Sequence, residues 1–345
     1  MKLTRREVFF GSILLVSFLL SFSLFYVYQI FRSPNFQVGK KEASLIIPEG
    51  TDFSGLMQIL ERENLIQDKI SFAFLSKLFQ YQQNVKPGRY QIKPNMNNWE
   101  VIRMLRAGLQ SPVRLTFNNI RTKSDFAQRI ARQLSLEASA LEAWLKDTLQ
   151  VKEMGFDTSN ILVMFIPNTY ELYWNTPLPK FIQRMYKEYQ KFWNARRRAQ
   201  AQKLGLTPIE VSILASIVQA ETNQNLEKPR IAGVYLNRLR RNIKLEADPT
   251  VIFALGDFNL KRVLRRHLET PSPYNTYLNT GLPPGPINLP TPASIEAVLQ
   301  AETHEYLFFC AKEDFSGYHT FAKTYAEHQR NARLFQKALD MRGIK

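Results

Sequence analysis

The sequence predicts an α+β protein tethered by one N-terminal transmembrane helix, and three observations carry that expectation. From Phe9 to Phe31 no residue is charged. Residues 43–110 alternate short apolar strand patterns with amphipathic helical ones, and beyond about residue 155 long helical patterns give way to loops rich in proline, asparagine and glycine. A chain of 345 residues with 45% hydrophobic content can bury more than one core. The expected organisation is a tail at 1–8, a spanning helix at 9–31, a small α+β module at 43–110, a connecting lobe at 111–154 and a larger mixed α+β domain at 155–345.

An uncharged run of this length, at about 1.5 Å per residue, covers about 34 Å, against roughly 30 Å for a hydrocarbon core. Lys2, Arg5 and Arg6 precede the run, so the positive-inside rule keeps the tail in the cytoplasm and sends the remainder across the cytoplasmic membrane. Tyr26 and Tyr28 suit the far interface. The alternative is a cleaved signal peptide, but the run exceeds a usual signal core and Phe31-Arg32-Ser33-Pro34 lacks a small-x-small site. The chain carries a net +16, and removing the tail's +2 leaves +14 outside the cytoplasm. Such a surplus seeks an anionic partner. In that compartment the partner is an acidic wall polymer or lipid headgroups rather than nucleic acid. The lone Cys310 sits in an apolar run and reads as a buried thiol. His267, His304, His319 and His328 lack metal-ligand spacing, so neither a metal nor another cofactor is expected.

Ala43–Ile47 reads as a strand, with a turn at Pro48–Thr51 capping a helix over 53–63. A helix over 70–79, a strand at Gly88–Ile92 and a helix over 98–107 complete the small module. A strand at 113–117 and helices at 124–134 and 137–149 follow. Long helices are expected at 178–204 and 208–222.

The second of these is strongly marked. Thr207-Pro208-Ile209-Glu210 is a capping box with proline at the first helical position. Ile213, Leu214, Ile217 and Val218 form an apolar stripe, and Glu221 continues it, four residues after Ile217. A carboxyl on the apolar side of a helix C-terminus is desolvated and near the negative end of the helix dipole, and both effects raise its pKa. That suits a general acid, although the segment alone fits equally a glutamate turned outward at a fraying end.

Asp248-Pro249-Thr250 reads as an N-cap opening a short helix that stops at Gly256, and Asp248 is also the nearest candidate for a second carboxylate. The segments Pro271–Tyr277 and Gly281–Ile287 are stiff loops carrying amide, hydroxyl and aromatic groups. They suit either sugar recognition or the holding of loop geometry. Phe165–Tyr170 is a similar rigid turn.

In order along the chain stand Gly88-Arg89-Tyr90, Pro167-Asn168-Thr169-Tyr170, Leu214–Val218 leading to Glu221-Thr222, Asn237-Arg238-Leu239, Asp248–Val251, Asn275-Thr276-Tyr277, Gly281–Gly285 and His319-Thr320-Phe321. This ordered set resembles the endolytic murein transglycosylases of the YceG-like family. The resemblance implies a single-pass inner-membrane enzyme with a LysM-like module and a catalytic domain that cuts nascent peptidoglycan strands. It implies Glu221 as the catalytic residue, with Asp248, Asn275, Thr276, Tyr277, Asn237 and His319 as candidate substrate-binding residues, and cell-wall synthases as partners. Members of that family often read Ile-Val-Glu-Lys-Glu where this chain has Gln219-Ala220-Glu221, which removes a competing carboxylate. They often carry an acid where this chain has Asn168.

The implied reaction is non-hydrolytic, since the muramyl 6-hydroxyl attacks its own anomeric carbon and leaves a 1,6-anhydro end. One protein carboxyl then suffices, as acid and afterwards as base, and polar groups such as Asn275 would steady the transition state. Two alternatives stay open from the sequence: a muramidase using Glu221 with Asp248 and water, and a wall-binding scaffold without activity.

Overall fold

The computed structural model describes residues 5–36, 42–260 and 262–342, so the expected tail at 1–8 lies partly outside the described residues. The chain divides into two compact units. One comprises Met1–Leu115, Gln133–Ser135 and Tyr170–Thr176; the other comprises Thr116–Arg132, Leu136–Thr169 and Pro177–Lys345. Residues 111–154 are thereby shared between the two units.

The first unit begins with α1 (Arg5–Arg32). Its stretch Phe9–Arg32 is long and apolar enough to cross a membrane. There follow β1 (Pro34–Phe36), β2 (Ala43–Ile47), α2 (Phe53–Arg62), α3 (Lys69–Leu78), β3 (Gly88–Ile92), β4 (Met96–Asn97) and α4 (Asn98–Ala107). Strands β2 and β3 pair antiparallel with Leu45 opposite Tyr90. Leu45, Ile47, Tyr90 and Ile92 alternate with more exposed neighbours and are fully buried, the period-two pattern of a sheet with one covered face. Leu56, Leu60, Phe72, Leu75, Val101 and Leu105 meet them from the helices. The α2 cap is Asp52, just past the expected turn, and its carboxylate accepts from Gly55 N. Helix α4 opens on a capping box of Asn97 and Glu100 and ends at Gly108 in the left-handed region.

The end of α1 belongs to this core. Ile30 is buried, and Asn98 Nδ2 donates to its carbonyl at 3.0 Å and to Ser71 Oγ at 2.9 Å. Asn35 Nδ2 donates to Asn98 Oδ1, while Asp68 N donates to Asn35 Oδ1, both at 2.6 Å. Buried amides fully paired in this way fix geometry, because each lost partner leaves an unsatisfied group. The strand β5 (Val113–Thr116) pairs with β6 (Thr169–Leu172).

The second unit contains α5 (Lys123–Ala131), α6 (Ala138–Lys146), α7 (Thr148–Glu153), α8 (Leu178–Phe192), α9 (Ala195–Leu204), α10 (Pro208–Glu221), α11 (Lys228–Arg240), α12 (Asp248–Leu255), α13 (Arg265–Leu268), α14 (Pro292–Leu299), β7 (Phe308–Ala311), β8 (His319–Ala322) and α15 (Tyr325–Met341). The single helix expected over 178–204 breaks at Trp193-Asn194. There Trp193 is buried and Asn194 Oδ1 accepts from Arg197 N, so a side chain offers the backbone a new start. The helix expected at 137–149 breaks at Asp147 for the same reason, its carboxylate accepting from Leu149 N and Gln150 N.

Helix α10 has the expected capping box, but it is more than amphipathic. Every residue from Val211 to Val218 is buried, because α10 runs between α14, α11 and α12. Its serines turn inward to main-chain acceptors, Ser212 Oγ to Pro208 O and Ser216 Oγ to Ile213 O. Ser216 Oγ also accepts from Ile287 N, which ties the stiff 281–287 loop to α10. At Gly285 in that loop a Cβ would lie 2.0 Å from the Ser159 carbonyl oxygen. The loop therefore needs glycine for close backbone approach. Gly285→Ala is expected to destabilise the chain by about 1–3 kcal/mol, measured as a lower midpoint of thermal unfolding in detergent.

Candidate active site

Glu221 is the last residue of α10, half-buried where the buried stretch Val211–Val218 of that helix gives out. The next helix in the chain supplies its partner: Tyr235, buried on α11, donates its hydroxyl to Glu221 Oε1 at 2.5 Å. Ile231, Tyr235 and Arg238 recur at four and three residues and so share one face of α11. Burial pushes the Glu221 carboxyl up to about 7; the Tyr235 hydroxyl opposes that rise and the negative charge of Asp248 adds to it. The same surroundings hold the Tyr235 phenol well above its ordinary value, chiefly by burial and then by the charge of Glu221. Tyr235 is thus a donor to the carboxyl and not a competing acid.

Glu221 opens into a cavity of about 300 Å³ lined also by Tyr235, Asp248, Tyr277, Phe309 and His328. Asp248 was expected to cap α12, but it is the first helical residue and Ala247 is the cap. The turn is closed instead by Thr276 Oγ1, which accepts from Ala247 N, and by Thr250 Oγ1, which donates to Ala247 O. The Asp248 carboxylate is left free to face the cavity, where Oδ1 accepts from Tyr277 Oη at 2.7 Å.

Of the polar residues expected around Glu221, Asp248 and Tyr277 share its cavity. The other four hold the walls. Asn275 is fully buried, with Nδ2 donating to Leu268 O and Thr270 O and Oδ1 accepting from Tyr277 N, so its polar atoms are taken by main chain. Thr276 is buried against Thr250. Asn237 Nδ2 donates to His304 O and Tyr306 O, joining α11 to the segment before β7. His319 pairs through Nδ1 with buried Glu227 at 2.8 Å, its backbone N donating to the same carboxylate, and its ring meets Phe309 edge-on.

The sequence reading missed Tyr235 and Arg238 as site residues, though the shared face of α11 was a signal that a polar pair pointed one way. Arg238 is buried and donates to Leu307 O, Lys244 O, Leu245 O and the Glu246 carboxylate, which fastens β7 to the loop before α12. A larger cavity of about 570 Å³ adjoins the same helix end, lined by Gln219, Ala220 and Asn223 together with Arg121, Phe253 and Asn288.

One carboxyl able to hold a proton near neutrality, with a hydroxyl partner and a second carboxylate beside an open cleft, defines a general acid–base site in a mixed α+β chain. The chain belongs to the YceG-like family, whose model matches residues 45–334. It is similar to the endolytic murein transglycosylase of Bacillus subtilis, at 27% identity over 307 residues and 84% of either chain. It is also similar to the protein of that name from Streptococcus pneumoniae, at 27% identity over 323 residues, of which it spans 58%. Among solved structures, a yceG-like protein from Listeria monocytogenes superposes with a TM-score of 0.59 at 28% identity, covering 85% of this chain and 99% of that one.

The opposing influences on Glu221 give a test of the geometry. Removing the Tyr235 hydroxyl (Tyr235→Phe) takes away a bond that favours the carboxylate, so the Glu221 pKa is expected to rise. Asp248→Asn removes a like charge, so the pKa is expected to fall. Carbon-13 NMR titration of labelled glutamate carboxyls measures both, and shifts of the same sign would refute the arrangement.

Proposed function

We propose that the chain is a membrane-anchored lytic transglycosylase that cuts within peptidoglycan glycan strands, with Glu221 as its acid and base. The observation that carries this is the Glu221 carboxyl, poised to remain protonated near pH 7 within hydrogen-bond reach of a cleft. The relatives named endolytic murein transglycosylase supply the substrate class. In the proposed reaction Glu221 protonates the oxygen linking muramyl C1 to the next N-acetylglucosamine, and that bond breaks. The muramyl 6-hydroxyl then bonds to C1 and yields its proton to the Glu221 carboxylate, which restores the acid. General acid–base catalysis of this kind supplies about 10²–10⁴-fold.

The site supports each step with its own residues. Tyr235 steadies the carboxylate between its two tasks. Asp248, held by Tyr277, offers a fixed negative charge to a cation-like sugar transition state. An internal cut needs room for sugar on both sides of the bond, and the two cavities at the end of α10 are where we place the strand. Asp248 also favours a second reading, hydrolysis with Asp248 activating water, in which reducing ends replace anhydro ends.

The N-terminal helix is read as a single span with its tail in the cytoplasm, because Lys2, Arg5 and Arg6 lie on that side. The catalytic unit then faces the wall, next to the synthases that extend strands. The module at 43–110 is read as LysM-like, supported by its strand–helix–helix–strand order β2–α2–α3–β3, with a role in holding glycan.

Mass spectrometry of strands digested by the full chain is expected to give 1,6-anhydro-muramyl ends. Glu221→Gln is expected to lose at least about 10²-fold of that product at unchanged abundance. Reducing ends would transfer the assignment to the muramidase, and undiminished cutting by the variant would remove Glu221 from it.

A further inference from the structure

Helix α3 carries an apolar stripe that stays largely exposed among the described residues. Ile70, Phe74 and Leu78 recur every fourth residue and so share one face, and they are 79%, 56% and 58% exposed. The opposite face, with Phe72 and Leu75, fills the core of the first unit. A ten-residue helix apolar on both sides needs a second apolar environment.

The neighbours of α3 say which. Helix α3 packs on α1, and both of its ends are linked to the last turn of α1. Near its start, Ser71 Oγ accepts from Asn98 Nδ2, whose other hydrogen is given to the Ile30 carbonyl. Beyond its end, the Phe79 ring meets Phe31 edge-on at 6.1 Å and Trp99 at 4.7 Å. The stripe thus belongs to a helix that packs on α1, next to an aromatic cluster at the end of the apolar run of α1, of the type that marks the level of lipid headgroups.

At the start of the stripe the Asp68 carboxylate is used in the α3 cap, accepting from Ile70 N and Ser71 N, and the unpaired charges beyond it are basic. Lys77 lies on α3, and Arg103 and Arg106 on α4 flank a cleft of about 270 Å³ with Phe79, Trp99, Ile102 and Ala107. None of these three cations has an ion-pair partner among the described residues. Lys69, by contrast, is held by Glu61 at 2.7 Å, and Glu100 is used in the α4 cap. An apolar cleft with two arginines at its rim suits a phospholipid, with acyl carbons on the rings and phosphate on the guanidinium groups.

We propose that the α3–α4 face of the first unit is a second membrane contact. Ile70, Phe74 and Leu78 enter the boundary between headgroups and acyl chains of the bilayer that holds α1, and Lys77, Arg103 and Arg106 bind the phosphates of anionic lipids there. This rests on α1 being a membrane span. The unit is thereby seated on the bilayer, since the hydrogen bonds at Ile30 and Asn35 leave the end of α1 no free swivel.

The test uses the full chain with Cys310→Ser, reconstituted in vesicles, carrying one environment-sensitive fluorophore on Phe74→Cys, on Phe18→Cys within α1, or on Glu49→Cys elsewhere in the unit. The expected result is quenching by brominated lipid at positions 18 and 74 and none at 49. At position 74, brominated phosphatidylglycerol should quench more than brominated phosphatidylcholine. That excess should disappear when Lys77→Gln, Arg103→Gln and Arg106→Gln are combined. Quenching at 18 without quenching at 74 overturns the contact while leaving the span intact, and no quenching at 18 overturns both. Equal quenching by the two lipids overturns the assignment of the cations to anionic headgroups.

Discussion

The hydrogen bond from Tyr235 to Glu221 stands at the centre of the second unit, because it is made where a buried helix ends. A carboxyl in such a place must be neutral, paired or solvated, and here it has one hydroxyl partner and one open side. That balance brings it to about 7. Much of the surrounding structure serves to keep the helix end still. Thr207 and Glu210 fix the start of α10, Ser216 ties it to the 281–287 loop, and Gln219 near its end accepts from Thr291 N and donates to Leu289 O.

A second layer of bonds holds the opposing wall. Arg238 gathers β7 and residues 244–246, Asn237 gathers the segment before β7, and Asn275 and Thr276 set the turn that presents Tyr277. The asparagine and threonine of that segment act on the main chain, and the tyrosine between them and solvent reaches the cavity. A polar motif can therefore mark a site without supplying the contacts made in it.

Local signals were legible wherever neighbouring residues settle the outcome. The β2–β3 strands follow from period-two alternation and the start of α10 from its capping box, and both stand where the sequence puts them. The position of Glu221 follows from the same stripe. What was not legible depends on residues far apart in the chain. The all-round burial of α10 comes from α11, α12 and α14, the hydroxyl of Tyr235 finds Glu221 only when α11 packs, and Asp248 gives up its capping place because Thr276 takes over the turn. The helix breaks at Asp147 and Asn194 were visible as residues but compete with strong helical periodicity on either side. In the first unit, the union of α1 with the module core depends on Asn35 and Asn98, two polar residues that periodicity alone would assign to the surface.

The central claim is that Glu221 must carry a proton to begin the cut and does so because it is buried. The most direct measurement is the pH dependence of kcat/KM on intact glycan strands. Activity should fall along a single alkaline limb with an apparent pKa of about 7, that of the Glu221 carboxyl. A rate that stays flat or rises through that limb would contradict the account, since an ordinary carboxylate would already have lost its proton and some other group would be delivering it.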